Sequence, residues 1–249
     1  MSRTHQDRTA THGARENAKP ADPVTMALFH AALRRDLRRA RRLLESPQLL
    51  SRRRARALGR VLLWNTNELR RHHEGEDHHL WPLLMARAPQ SRRLLEDMES
   101  EHEAIDEPLL RLEVAARGLV ADRAEPRAVI RALDDLEAPL LRHLAHEELD
   151  AMAIAASVLT HDEWKEFEAK AWAIGYTPAE TVRFLTWMCD GVEWSEVITA
   201  RARPSLAPCC RAVARVLSAV AALGTARLWA GTDAAGIRSW PGRVEHASG

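Results

Sequence analysis

His72 and Glu76 stand four residues apart, and so do His143 and Glu147. On a helix this spacing puts both side chains of a pair on one face, with about 5–6 Å between their β-carbons. Neutral imidazole binds a borderline transition metal, while a carboxylate neutralises charge and can bridge two ions through its two oxygens. His30 precedes the first pair and His102 the second at nearly the same separation. The set therefore reads as two similar halves that form two metal positions sharing Glu76 and Glu147. Spacing alone admits iron, zinc or manganese. The chain has no Gly-rich phosphate loop and no Ser/His/Asp or Cys/His arrangement for nucleophilic catalysis.

The neighbours of these residues are weighed by helical phase. Asp106 lies one turn beyond His102, where it is either a further ligand or a solvated carboxylate near Pro108. His73, His78 and His146 lie off the inward stripe and read as surface or supporting groups. His79 and Asp150, one turn beyond the glutamates, are expected to orient ligands through hydrogen bonds. Glu148 competes with Glu147 as a bridge, but its phase points it away. One histidine on an apolar face is usually a satisfied core residue. Burying four histidines and two carboxylates with neither metal nor dense hydrogen bonding would cost several kcal/mol, so the metal reading prevails.

Long helices must position these groups. Leu58, Leu62, Asn65, Leu69, His72, Glu76, His79 and Leu83 recur in steps of four and three, as do Val129, Leu133, Leu136, Leu140, His143, Glu147, Asp150 and Ile154. Leu95, Met98, His102, Ile105, Leu109 and Leu112 make a third stripe, and Phe29, Leu33, Leu37, Ala40 and Leu44 a fourth with His30 at its border. Asp22 before Pro23, Ser51, Pro89 and Pro126 mark the helix starts, and bends are expected at Pro82 and Pro139. Short connections between long helices predict an all-α, up-down-up-down antiparallel four-helix bundle.

HHEGEDHHLWP, from His72 to Pro82, and HLAHEELD, from His143 to Asp150, resemble the two signatures of the hemerythrin-like HHE cation-binding family over roughly residues 22–158. The resemblance implies a nonheme diiron centre, two iron ions held by His30, His72, Glu76, His102, Asp106, His143 and Glu147 with two carboxylates bridging. It implies a protein that binds or senses oxygen, nitric oxide or peroxide. Asp106 departs from the family, standing where oxygen-carrying hemerythrins have a second histidine on the third helix. That leaves fewer imidazoles, disfavours reversible oxygen carriage, and suits an alternative in which a diiron oxidoreductase decomposes peroxide or oxidises a small substrate with oxygen.

Beyond the bundle, Thr160 with Glu163 and Thr177 with Glu180 match the reciprocal capping box, and a last helix is expected from near Pro208. The chain thus divides into a flexible polar tail at 1–21, the bundle at 22–158, a helical extension at 159–232 and a loop or tail at 233–249. Trp164, Trp172, Trp187 and Trp194 in the extension suit packing or a protein partner, whose binding would respond to the iron state. The arginines between 34 and 60 read as solvated helix faces paired with acids, and the net charge of +1 gives no pull towards nucleic acid. Three cysteines, Cys189, Cys209 and Cys210, lack metal-finger spacing and suit a reducing cytoplasm. Arginines interrupt the most apolar late stretch, so no membrane span is expected.

Overall fold

Three helix starts follow the expected side-chain capping in the computed structural model, which describes residues 18–173, 175–192, 212–213, 216, 219–220 and 227–239. Helix α1 spans Val24–Leu44, α2 Arg52–Gly75, α3 Trp81–Arg87, α4 Arg92–Val120, α5 Pro126–His146 and α6 Met152–Val158. The Ser51 hydroxyl accepts from the Arg54 amide at 3.3 Å and caps α2. Asp22 does not cap α1: Pro23 takes the N-cap position and no side chain bonds there. Among the described residues no strand occurs, only an isolated antiparallel bridge between Pro20 and Thr160. Most of the 1–21 tail, Trp194, Cys209, Cys210, the start of the last helix near Pro208 and the end beyond 239 lie outside the described residues.

The bundle is made of α1, α2 continued by α3, α4, and α5 continued by α6. Each packs on the next, and α1 closes the ring on α5. Its interior has three layers. Met26, Leu80, Met98 and Ala151 belong to one apolar cluster, whereas Leu33, Leu69, Ile105 and Leu140 belong to another. Between them on the four helices lie His30, then His72 and Glu76, then His102, then His143 and Glu147. The order of the layers reverses from each helix to its successor, as an up-down-up-down path requires.

Both glutamate-bearing helices of the layer depart from the α repeat directly after their glutamate. A π-turn at Glu76–Leu80 joins α2 to α3, with the Trp81 amide donating to the Glu76 carbonyl five residues back. A second at Glu147–Ala151 joins α5 to α6, with Met152 donating to Glu147. Pro82 stands in the first turn of α3, directly after the first of these turns, and α5 runs through Pro139 to His146. One inserted residue rotates everything after it by about 100°. The inward positions become Leu80 and Leu84 instead of His79 and Leu83, and Ala151 and Ala155 instead of Asp150 and Ile154.

The extension is bound into both apolar clusters. Helix α7, His161–Glu168, and α8, Pro178–Cys189, each begin with the expected capping box. Trp164, Phe167 and Trp172 complete one cluster, while Trp187, Met188, Leu228, Trp229 and Ala234 join the other. Lys19–Ala21 pair with the start of α7, the His161 amide donating to Lys19 at 2.7 Å and the Ala21 amide to Leu159 at 3.0 Å.

Part of the arginine face of α1 is buried beneath this extension instead of being solvated. Arg35 and Arg39 are 1% and 4% exposed. Arg35 donates to Asp36 at 2.8 Å and to the carbonyls of Trp187 and Asp190 at 2.9 and 2.6 Å. Arg39 pairs with Asp190 and donates to the Ile237 carbonyl. Asp36 in turn accepts from the Trp187 indole at 2.9 Å. Removing one partner strands a buried opposite charge, so Asp36→Ala is expected to cost about 3–5 kcal/mol of stability by equilibrium denaturation. A loss within about 0.5 kcal/mol, the size of an ordinary surface change, would contradict this arrangement.

Candidate metal centre

At the middle of the bundle His30, His72, His143, Glu76 and Glu147 are all buried, and His102 is 4% exposed. His30 Nε2 lies 3.1 Å from His72 Nε2, and His102 Nε2 lies 3.1 Å from His143 Nε2. Each histidine pair combines two neighbouring helices. Glu76 reaches both pairs, with Oε1 3.1 Å from His72 Nε2 and Oε2 3.5 Å from His102 Nε2. Glu147 does likewise through Oε2, at 3.1 Å from His30 and 3.8 Å from His143.

These distances fit a cation. With metal–nitrogen bonds of about 2.0–2.1 Å, two ligands at right angles stand about 3 Å apart. All four oxygens of Glu76 and Glu147 are buried without a hydrogen-bond partner, although imidazole nitrogens lie close. Buried carboxylates in that condition are costly, and cations of two or more charges between the histidine pairs would satisfy them. Donor atoms of His30, His72 and Glu147, and of Glu76, His143 and Glu147, fall within 4.8 Å of one another in each group.

The outer nitrogens of three histidines are held by carboxylates. His30 Nδ1 donates to Glu148 Oε1 at 2.9 Å, His102 Nδ1 to Asp77 Oδ1 at 2.8 Å, and His143 Nδ1 to Glu101 Oε2 at 3.0 Å. A proton on Nδ1 leaves the lone pair of Nε2 directed inward and raises its basicity. Each of the two central glutamates is thus followed by an acid that holds a histidine of a different helix: Asp77 after Glu76, Glu148 after Glu147. His72 is the exception, for its buried Nδ1 has no hydrogen-bond partner. Its ring stacks instead on Phe29, at 4.2 Å and 22°, and on Trp172, at 5.7 Å and 27°. The extension can come this near because Gly75 has no side chain: a Cβ there would sit 2.8 Å from the Ala171 Cβ.

Burial and neighbouring charges together set the titration of these groups. Burial works against a charged His30 and a charged Glu147, but their mutual contact raises the former and lowers the latter. Burial lowers His72 and His73 well below the usual histidine value, neighbouring imidazoles reinforcing it. Burial also holds His143 down to about 4, although Glu147 opposes it. Such imidazoles are neutral, the form that binds metal. Burial, with Glu147 and Asp77 nearby, raises Glu76 well above the ordinary carboxylate value. Glu148 moves the other way, to about 2, because the His30 and Arg34 contacts outweigh its own burial.

Several sequence expectations change. Asp106 is exposed and belongs to none of the buried donor groups. His73, expected off the stripe, is 5% exposed and stacks on His102 at 3.9 Å and 8°. His79 and Asp150 are exposed, and Asp150 lies 3.6 Å from the half-buried His146. Glu148, expected to point away, holds His30 and accepts from Arg34 at 2.6 Å. Asp77 and Glu101 were absent from the stripe altogether. Their only sequence signal is adjacency, each sitting beside a candidate ligand.

A four-helix bundle with a His/Glu layer between two apolar clusters defines a class of helical cation-binding proteins. The family model described as the hemerythrin HHE cation-binding domain matches residues 24–155, more than half of the chain. The chain belongs to that family. No curated protein and no solved structure matches it. Among the described residues, no helix is long and apolar enough to cross a membrane.

Asp77→Asn and Glu101→Gln should each weaken metal affinity by about 10–100-fold, while His79→Ala and Asp150→Ala leave it unchanged in equilibrium competition with a chelator. Glu148 is depressed from an ordinary 4.5 to about 2, so its stabilising contribution is complete above pH 4.5 and vanishes as pH falls through about 2. The stability difference between wild type and Glu148→Gln should therefore shrink over that window in urea denaturation. A difference that stays constant down to pH 2 would show that ionisation of Glu148 does not matter.

Proposed function

We propose that the chain holds a nonheme diiron centre and uses it to bind or sense a small ligand: oxygen, nitric oxide or peroxide. The observation that carries the reading is Glu76, one carboxylate with an oxygen at each histidine pair. His30 and His72 would hold one ion, His102 and His143 the other, with Glu76 and Glu147 shared. Bound iron supplies a redox couple and an exchangeable coordination position for the small ligand.

The chain's own residues set the conditions for that chemistry. Leu69 and Ile105 on one side and Leu80 and Met98 on the other wall the layer with apolar surface, which limits water around it. Glu148, Asp77 and Glu101 keep three imidazoles in the tautomer that directs Nε2 inward. Arg34 neutralises Glu148 from outside, with Nη1 at 2.6 Å. The oxidoreductase alternative drew on a carboxylate ligand at Asp106, and that residue's exposed position takes away its main support. Contact of Trp172 with His72 favours instead a sensing role, in which the extension responds to the state of the centre. A protein partner would then be met through that extension.

The chain purified without added metal is expected to carry close to two iron ions. Its reduced form should change its optical spectrum with oxygen or nitric oxide, and an unchanged spectrum with both would count against ligand binding. Glu76→Ala and Glu147→Ala should each lower occupancy at both positions. If Glu76→Ala kept both ions, the shared-carboxylate reading would be wrong.

A further inference from the structure

One cleft of about 360 Å³ reaches the metal layer from outside, lined by Arg70, His73, Glu74, Asp77, His102, Glu103, Asp106 and Leu110. Four of these are carboxylates. The one guanidinium, Arg70, is engaged by Glu113 at 3.0 Å, so the cleft presents net negative charge. His73 and His102 form its inner end. His73 Nε2 is buried and has no hydrogen-bond partner. One nitrogen each of His73, His102 and His143 fall within 4.8 Å of one another.

The ring geometry says what His73 can do there. An imidazole binds a metal through a lone pair in its own plane, so two histidines on one ion need planes that meet at that ion. The rings of His73 and His102 are stacked at 3.9 Å and only 8° apart, so their planes do not meet nearby. His73 is therefore not a lasting co-ligand beside His102. It can take a cation first and release it to the nitrogens of His102 and His143.

We infer that this cleft is a loading vestibule for divalent cations, in which Glu74, Asp77, Glu103 and Asp106 attract the ion and His73 passes it to the position held by His102 and His143. Asp106 thereby has a use on the route to the centre and not within it. A negatively lined cleft with low-dielectric walls concentrates cations and speeds their capture, an effect that salt screens. No bond other than metal coordination is made or broken, and no electron is transferred.

This inference rests on the reading of the buried layer as a two-ion centre, and the test separates the two. Full-length protein stripped with a chelator is mixed with cobalt(II), and loading is followed by cobalt absorbance at low and high salt. Glu103→Gln combined with Asp106→Asn should slow loading by about 5-fold at low salt and lose most of the salt dependence, with the endpoint still two cobalt ions. Both residues are exposed, so folding is not at stake. His73→Phe, which keeps a ring against His102 but removes the nitrogen, should also load slowly to the same endpoint. If wild type takes up two ions and either variant loads at the wild-type rate, the vestibule is refuted while the two-ion centre stands. If wild type binds no cobalt, both fall together.

Discussion

The structure is organised around two carboxylates, Glu76 and Glu147, placed at the centre of a helical bundle with no hydrogen-bond donor aligned to them. Burial of such groups is costly, and the surrounding design answers that cost with chemistry suited to a cation. Two histidine pairs face the carboxylates, and apolar clusters close the layer above and below. The same burial that strains the acids keeps His72 and His143 neutral, as metal binding requires. Acids and bases in this layer meet directly only in part, as Glu147 does with His30 at 3.1 Å, and the ions they would share complete the match.

The two halves are alike in their ligands and unlike in what supports them. Glu101 precedes His102 and holds His143, whereas Phe29 precedes His30 and stacks on His72. One half thus backs its helix-borne histidine with a carboxylate and the other with an aromatic ring. Carboxylate support raises imidazole basicity, so the His102/His143 position is the more electron-rich of the two. The ring-supported histidine is also the one that meets the extension, through Trp172. Phe29 continues the contact to Trp187 at 5.3 Å, and the Trp187 indole ends on Asp36. A continuous set of contacts therefore runs from the centre to the buried arginine network on α1.

That network explains why the extension belongs to the bundle and is not an appendage. Arg35 and Arg39 are covered on every side, and their charges are met by Asp36, Asp190 and backbone carbonyls from the extension. The bundle without residues beyond 160 would leave these cations and two edges of apolar core facing water. Trp164, Trp172, Trp187 and Trp229 act in the same sense, each packing into one of the two apolar clusters.

The fold class, the helix order and the central layer of histidines and glutamates were legible in the sequence because they depend on local periodicity. Steps of four and three place His72 with Glu76 and His143 with Glu147 whatever the neighbouring helices do. Capping boxes at Thr160 and Thr177 are likewise local, and the chain folds as they indicate. What periodicity could not carry is any residue beyond a break in the repeat. The π-turns after Glu76 and Glu147 add one residue each, which turned His79 and Asp150 outward and Leu80 and Ala151 inward. Nor could one helix's phase reveal contacts across helices: Glu148 with His30, Asp77 with His102, Glu101 with His143 and His73 against His102 all join residues on different elements. The buried state of Arg35 and Arg39 was decided the same way, by an extension more than a hundred residues later in the chain. Sequence determined which side chains share a face of a helix, and tertiary packing decided what each face meets.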